Sequence, residues 1–171
     1  MRVYIPATLP MLQRLVADGS FFPVSGTAFA VTPTLREAYA EGDDDELAEV
    51  ALRDAALGSL RLLAADAEDA DSAEPGLPVR RAVLVADVES VKARPDLDDA
   101  VVRLSDPVTL DDLVAVYVDN AAAEPAVRAA MDVIDAADLG DEDAELRVGD
   151  AQDHDLAWYA TQELPFLLEL L

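Results

Sequence analysis

The sequence predicts a single-domain α/β or α+β fold over residues 1–171, with a mixed sheet of about five strands and helices packed on it. Three observations lead there. A strand-to-helix junction opens the chain, is repeated soon after, and recurs loosely near the end. The nearly unbroken apolar run Ala82-Val83-Leu84-Val85-Ala86 reads as a central strand covered on both faces. A chain of 171 residues that is 52% apolar suits one core of ordinary size, which buries roughly two thirds of the unfolded surface.

Residues 1–5 (Met-Arg-Val-Tyr-Ile) read as a strand ending at Pro6, and Thr8 then stands where a side-chain oxygen caps a helix carrying Leu9, Leu12, Leu15 and Val16 up to Gly19. After the turn-rich stretch 19–26, residues 27–31 read as a second strand. Thr32-Pro33 supplies a cap and a first-turn proline for a short helix ending near Gly42. Asp43, Asp44, Asp45 and Glu46 open the longest helix, where negative charge meets the positive end of the helix dipole. Its expected inner stripe is Leu47, Val50, Leu57, Leu60 and Ala64, with Glu49 and Arg53 on the exposed side.

The acidic, turn-rich segment 66–78 reads as a loop. Residues 79–85 form the strongest strand pattern, with residues 100–104 as its expected antiparallel neighbour across a polar connector containing Pro95. Thr109 and Asp112 have the spacing of a capping box, and Leu110, Leu113, Val114 and Tyr117 follow at helical spacing. Pro125 begins a further helix with Val127, Ala130, Met131 and Ile134 inside and Gly140 past its end. Residues 141–155 hold seven acids against Arg147 and read as a second acidic loop, anchored by Leu146 and Val148. A last strand over 156–160 and a helix from Gln162 complete the chain. The text Ala7-Thr8-Leu9-Pro10 has a loose echo in Ala160-Thr161 and Leu164-Pro165, which reads as two junctions sharing capping chemistry rather than as a duplication.

Charge is distributed unevenly. The chain carries 36 acids and 12 basic residues, a net charge of −24, yet residues 1–40 hold Arg2, Arg14 and Arg36 against Asp18 and Glu37, so the remaining residues carry −25. Such a surface repels nucleic acid and anionic lipid, which bind through basic side chains. No uncharged apolar run approaches the ~20 residues that cross a bilayer, and residues 1–6 do not resemble a signal peptide. With no cysteine, disulfides, thiolate metal sites and thiol catalysis are excluded, and the expected setting is cytoplasmic. Eleven Arg accompany the single Lys92, the usage of a GC-rich genome.

Catalytic machinery is hard to find. The first strand leads into Pro-Ala-Thr-Leu-Pro rather than a glycine-rich turn, so phosphate-cradling loops are absent from it. His154 is the only histidine, which rules out two-histidine mechanisms and leaves it as a lone general base beside Asp153 and Asp155 or as a surface residue. No serine has a nucleophile-elbow context. The acids do not follow the alternating spacing of a calcium loop, and no metal or cofactor is expected. The sharpest cluster is Trp158, Tyr159, Thr161 and Glu163, where a strand turns into a helix. With Thr8 at the equivalent first junction and His154 nearby, these six are the candidate small-ligand or enzyme site; the alternative is that the aromatics fill core and the threonines cap helices.

The opening Met-Arg-Val-Tyr-Ile-Pro-Ala-Thr-Leu-Pro and the closing Leu-Ala-Trp-Tyr-Ala-Thr-Gln-Glu-Leu resemble a family of short, acidic actinobacterial proteins classed only as a domain of unknown function. The resemblance implies a bacterial, cytoplasmic setting and brings no activity, cofactor or site residue with it. The function expected from the residues is therefore non-catalytic. The acidic segments would steer a protein partner with a basic surface and an apolar helix face would make contact, a DNA mimic being a narrower form of the same idea.

Overall fold

The computed structural model describes residues 1–39, 41–68 and 77–171. Its centre is β1 (Arg2–Ala7) paired along its whole length with β4 (Ala82–Asp87). The sheet grows outward on both sides, through β3 (Thr27–Phe29), β6 (Val101–Leu104) and β5 (Val91–Ala93) on one and β8 (Leu113–Val118) and β9 (Ala157–Ala160) on the other, giving the order β5-β6-β3-β1-β4-β8-β9. Each of its six pairings is antiparallel, so the fold is α+β with seven strands in this sheet where the sequence suggested about five in a mixed one. A separate ribbon joins β2 (Ser20–Phe21) to β7 (Val108–Thr109).

Strand alternation sorts the side chains between two helical layers. Val3, Ile5, Leu84 and Val116 face Leu9, Leu12 and Leu15 of α1 (Leu9–Asp18) and Leu164 and Leu167 of α7 (Leu164–Leu170). On the other face Tyr4, Val83 and Tyr117 pack against Ala55 and Ala56 of α3 (Asp44–Glu68). The expected doubly covered central strand is β4, buried from Ala82 to Ala86.

Local chemistry explains the start of each of the next two helices. Thr32 Oγ1 accepts the Leu35 amide at 3.0 Å and donates to the Asp99 carbonyl, capping α2 (Pro33–Ala38) and tying it to the β5–β6 connection. Asp43 Oδ1 accepts the Glu46 amide at 2.9 Å ahead of α3. The buried stripe of α3 is Leu47, Ala51, Ala55, Ala56, Ser59 and Leu60, while Val50, Leu57 and Ala64 lie half-buried at its flanks. Small residues let the helix approach closely, and a Cβ on Gly58 would stand 2.8 Å from Pro6 Cγ. Ser59 lies on the same face: its hydroxyl donates to the Ala7 carbonyl at 2.7 Å and accepts the Ala82 amide at 3.0 Å, bridging the last pair of the β1–β4 ladder.

Several expectations are corrected. The first strand runs through Pro6 to Ala7, because β3 pairs with β1 only at Tyr4 and leaves the proline without a partner on that side. Residues 101–104 pair with β3 and β5, not with β4, whose two edges are already occupied by β1 and β8; the connector itself supplies β5. Beyond a single 3-10 turn at Leu110–Asp112, the segment read as a helix is β8, since its β-branched run is claimed by pairing with both β4 and β9. Asp112 supplies half of the capping box, accepting the Thr109 amide at 3.0 Å. The helix begun at Pro125 breaks at residues 132–133 into α4 (Glu124–Met131) and α5 (Ile134–Asp138), with Gly140 beyond it at φ +95°.

The acidic loop expected over 141–155 is mostly α6 (Glu142–Gln152). Asp141 Oδ1 accepts the Ala144 amide at 2.9 Å, and Glu142, Asp143 and Glu145 lie in the first turn, where the helix dipole favours them. Ala144 and Ala151 are its buried anchors, Val148 is half-buried, and Leu146 is exposed. In the other acidic segment, residues 66–68 are the last residues of α3, and 69–76 lie outside the described residues. Helices α4, α5 and α6 close over Leu60 of α3 through Val127, Ala130, Ile134 and Ala151. No described helix is long and apolar enough to cross a membrane.

Candidate functional site

The six candidate residues are distributed over both faces of the sheet. Trp158 faces the α3 side beside Tyr117 and is 57% exposed, whereas Tyr159 turns to the opposite face and packs on the α1–α7 core. Thr161 Oγ1 donates to the Leu113 carbonyl at 3.3 Å, and exposed Glu163 accepts the Ala160 amide at 3.2 Å, holding the turn into α7. Thr8 is buried and occupies the N-cap position of α1, yet its hydroxyl makes no cap hydrogen bond and finds no partner among the described residues. Of the cavities between the elements, one touches this set through His154 and another through Thr161. The arrangement matches helix-turn chemistry at Thr161 and Glu163 more closely than a shared ligand pocket.

The cavity beside His154, about 310 Å³, opens between α3, β8 and the α6–β9 junction. Glu49, Arg53, Tyr117 and Asp155 contribute to its wall, with Arg81 at its base. Arg81 and Asp119 are the buried charges of this region. Arg81 Nε and Nη2 donate to the two Asp119 oxygens at 2.8 Å each, and the Arg81 backbone amide donates to Asp119 Oδ2 at 2.8 Å. The same guanidinium gives Nη1 to Gln152 Oε1 and a second Nη2 contact to the His154 carbonyl, both at 2.8 Å. Gln152 Nε2 in turn donates to the Arg53 carbonyl at 3.1 Å. This network fastens the head of β4, the end of β8, and the α6–β9 turn to α3. Four of the five guanidinium N–H groups are consumed by the protein itself, which makes Arg81 a clasp rather than a substrate-binding group.

Among the described side-chain hydrogen bonds, His154 takes part through its backbone carbonyl, which accepts from Arg81 Nη2. Among the described residues no three histidine or acidic side chains come together as a metal site. At the opposite end of the sheet, a cavity of about 290 Å³ is walled by Asp87, Glu89, Asp106 and Asp112, of which Asp87 is held by Arg2 and Asp112 by the Thr109 amide. Arg2, Arg94 and Arg61 hold the carboxyls of Asp87, Asp96 and Asp138 below the usual carboxylate range through direct hydrogen bonds. Asp54 goes the other way: burial first, then the charge of Asp98, pushes it up to about 6.

Neither Arg81 nor Asp119 was singled out in the sequence. The available signal was an arginine heading a strand buried on both faces, and an aspartate directly after the apolar run of residues 113–118.

These features define an α+β protein with an antiparallel sheet between helical layers and an ionic clasp at one end of its central strands. The chain belongs to the family of unknown function DUF6912, whose pattern matches residues 1–168. No curated protein and no solved structure matches it.

Proposed function

We propose that the chain is a non-catalytic, cytoplasmic binding protein of actinobacterial type that docks a protein partner with a basic surface. The observation that carries this reading is at the α5–α6 turn. Leu139, 90% exposed, and Leu146, 69% exposed, stand beside Asp141, Glu142, Asp143 and Glu145 on a helical segment of net negative charge. Exposed leucines on a predominantly acidic helical segment combine a desolvating anchor with long-range steering. Eleven arginines against one lysine support the GC-rich source.

The test is a comparative capture from an actinobacterial lysate at low salt. The wild-type chain retains a partner that elutes as salt rises, and Leu139→Ser with Leu146→Ser loses it at unchanged net charge. A partner insensitive to salt, or one retained equally by the double variant, overturns the reading. Displacement of the partner by duplex DNA marks the narrower DNA-mimic form.

A further inference from the structure

A third cavity, also about 290 Å³, lies on the α3 side of the sheet over β3 and the Pro6 end of β1, and its wall reverses the chemistry of the chain around it. Pro6, Phe29 and Leu62 give it an apolar floor. Its charged groups are Arg61 and Arg103, with no carboxylate in the lining. In a chain with 36 acids and 12 basic residues, this lining carries two arginines and no acid, Arg61 being paired with Asp138 outside it.

The arginines are only partly satisfied. Arg61 commits Nε and Nη2 to Asp138 at 3.1 and 2.9 Å, and among the described residues no hydrogen bond engages its Nη1. Arg103 gives Nη1 to the Ser25 carbonyl at 2.9 Å, while its Nε is buried without a partner. A charged donor shut from water and unpaired is expensive to maintain. Among the described residues no hydrogen bond engages Arg103 Nη2, which leaves it as the guanidinium donor available to a carboxylate or phosphate.

The loop on the cavity's rim is strained in the same place. Among the described residues Ser25 is the one non-glycine with a left-handed backbone, φ +58°, and Gly26 follows at φ +68°. A Cβ on Gly26 would come 2.8 Å from the Leu104 carbonyl oxygen. Backbone strain of this kind persists where the surroundings fix it and gathers at binding sites. Here it presents the Ser25 carbonyl to Arg103 and sets Ser25 in the cavity wall.

We propose that this cavity binds a small organic anion, a carboxylate or phosphate head on a flat apolar body. The head takes Arg103 Nη2 and Arg61 Nη1, and the body lies on Phe29, Pro6 and Leu62. The volume is at the small end of ligand pockets, which run from about 300 to 1,000 Å³. This site is separate from the docking surface around residues 139–146 and stands without it.

The test titrates the full chain with phenyl phosphate, followed by calorimetry and by NMR of backbone amides and arginine Nε–H groups. Benzyl alcohol serves as the uncharged body and inorganic phosphate as the head alone. The expected result is a Kd of about 1 mM or tighter for phenyl phosphate, at least about tenfold tighter than either control. Shifts should concentrate at residues 25–29 and at the Arg103 Nε–H. Arg103→Gln weakens binding by about tenfold or more. Because Arg103 also steadies the Ser25 turn, Arg61→Gln is the second variant, and it weakens binding by about threefold or more without moving the melting temperature. Absent binding, shifts elsewhere, a control that matches phenyl phosphate, or undiminished affinity in both variants overturns the proposal.

Discussion

Arg81 and Asp119 meet through two parallel contacts of 2.8 Å, Nε to Oδ2 and Nη2 to Oδ1, with both side chains closed off from solvent. Such a pair loses two hydration shells on folding and recovers them only while both partners stay in place. Removing one charge is therefore worse than removing both. Asp119→Ala should destabilise the chain by about 3–5 kcal/mol in urea unfolding, since it leaves a buried guanidinium uncompensated. The double change Arg81→Met with Asp119→Leu should cost less than Asp119→Ala alone. Additive losses would contradict this account of the clasp.

Thr8 offers a sign test. An N-cap threonine normally contributes about 1 kcal/mol, so its replacement by an apolar residue lowers stability. Thr8 makes no cap bond and its buried hydroxyl finds no partner among the described residues. Thr8→Val, nearly the same shape, should leave stability unchanged or raise it by about 1 kcal/mol, which lifts Tm by about 2–4 °C in a chain of this size. A fall in Tm would restore the capping role.

Gly58→Ala should also run against the usual direction. In an open helix interior the change gains about 1 kcal/mol. In α3 the new Cβ would press on Pro6 Cγ at 2.8 Å and Cβ at 3.2 Å, both held in β1 by its pairing with β4. Overpacking of this sort typically costs about 1–3 kcal/mol, and denaturant melts of the variant should show a net loss.

Asp54 gives stability a pH dependence. Its folded pKa of about 6 stands above the ordinary value of 3.8, so the folded chain binds the proton more tightly than the unfolded one between those values. The penalty of ionising it is complete above about pH 6 and disappears as pH falls toward 3.8. Asp54→Asn should therefore stabilise the chain at neutral pH by about 1 kcal/mol, a figure reduced for the water that still reaches this side chain. Melts of the two chains should converge on acidification from pH 6; a gap that stays constant would show that burial of the charge is not its source.

Much of the local grammar was readable from residues alone. Thr32-Pro33 marked α2, the acids at 43–46 marked α3, and the apolar run at 82–86 marked the central strand, because each signal is contained within a few neighbouring residues. What failed depended on distant partners. Leu110, Leu113, Val114 and Tyr117 fall at helical spacing, but strands on both sides of that segment decide its conformation. Helix α6 was hidden because its buried anchors are alanines, which contribute little to an apolar stripe. Pairing of β6 with β3 rather than β4 follows from which edges were still open, a property of the whole sheet. The Arg81–Asp119 clasp joins positions 38 residues apart, and nothing in either neighbourhood names the other. For the candidate site, the turn residues Thr161 and Glu163 were legible as polar groups at a junction, while the paired arginines of the third cavity come from α3 and β6 and share no sequence pattern.

Ser59 gives the molecule a mechanical property. Its single oxygen stands between a carbonyl and an amide that belong to opposite strands, so lifting the long helix away would cost two main-chain groups their partner at once. Helix docking and completion of the β1–β4 ladder are thus coupled through one side chain.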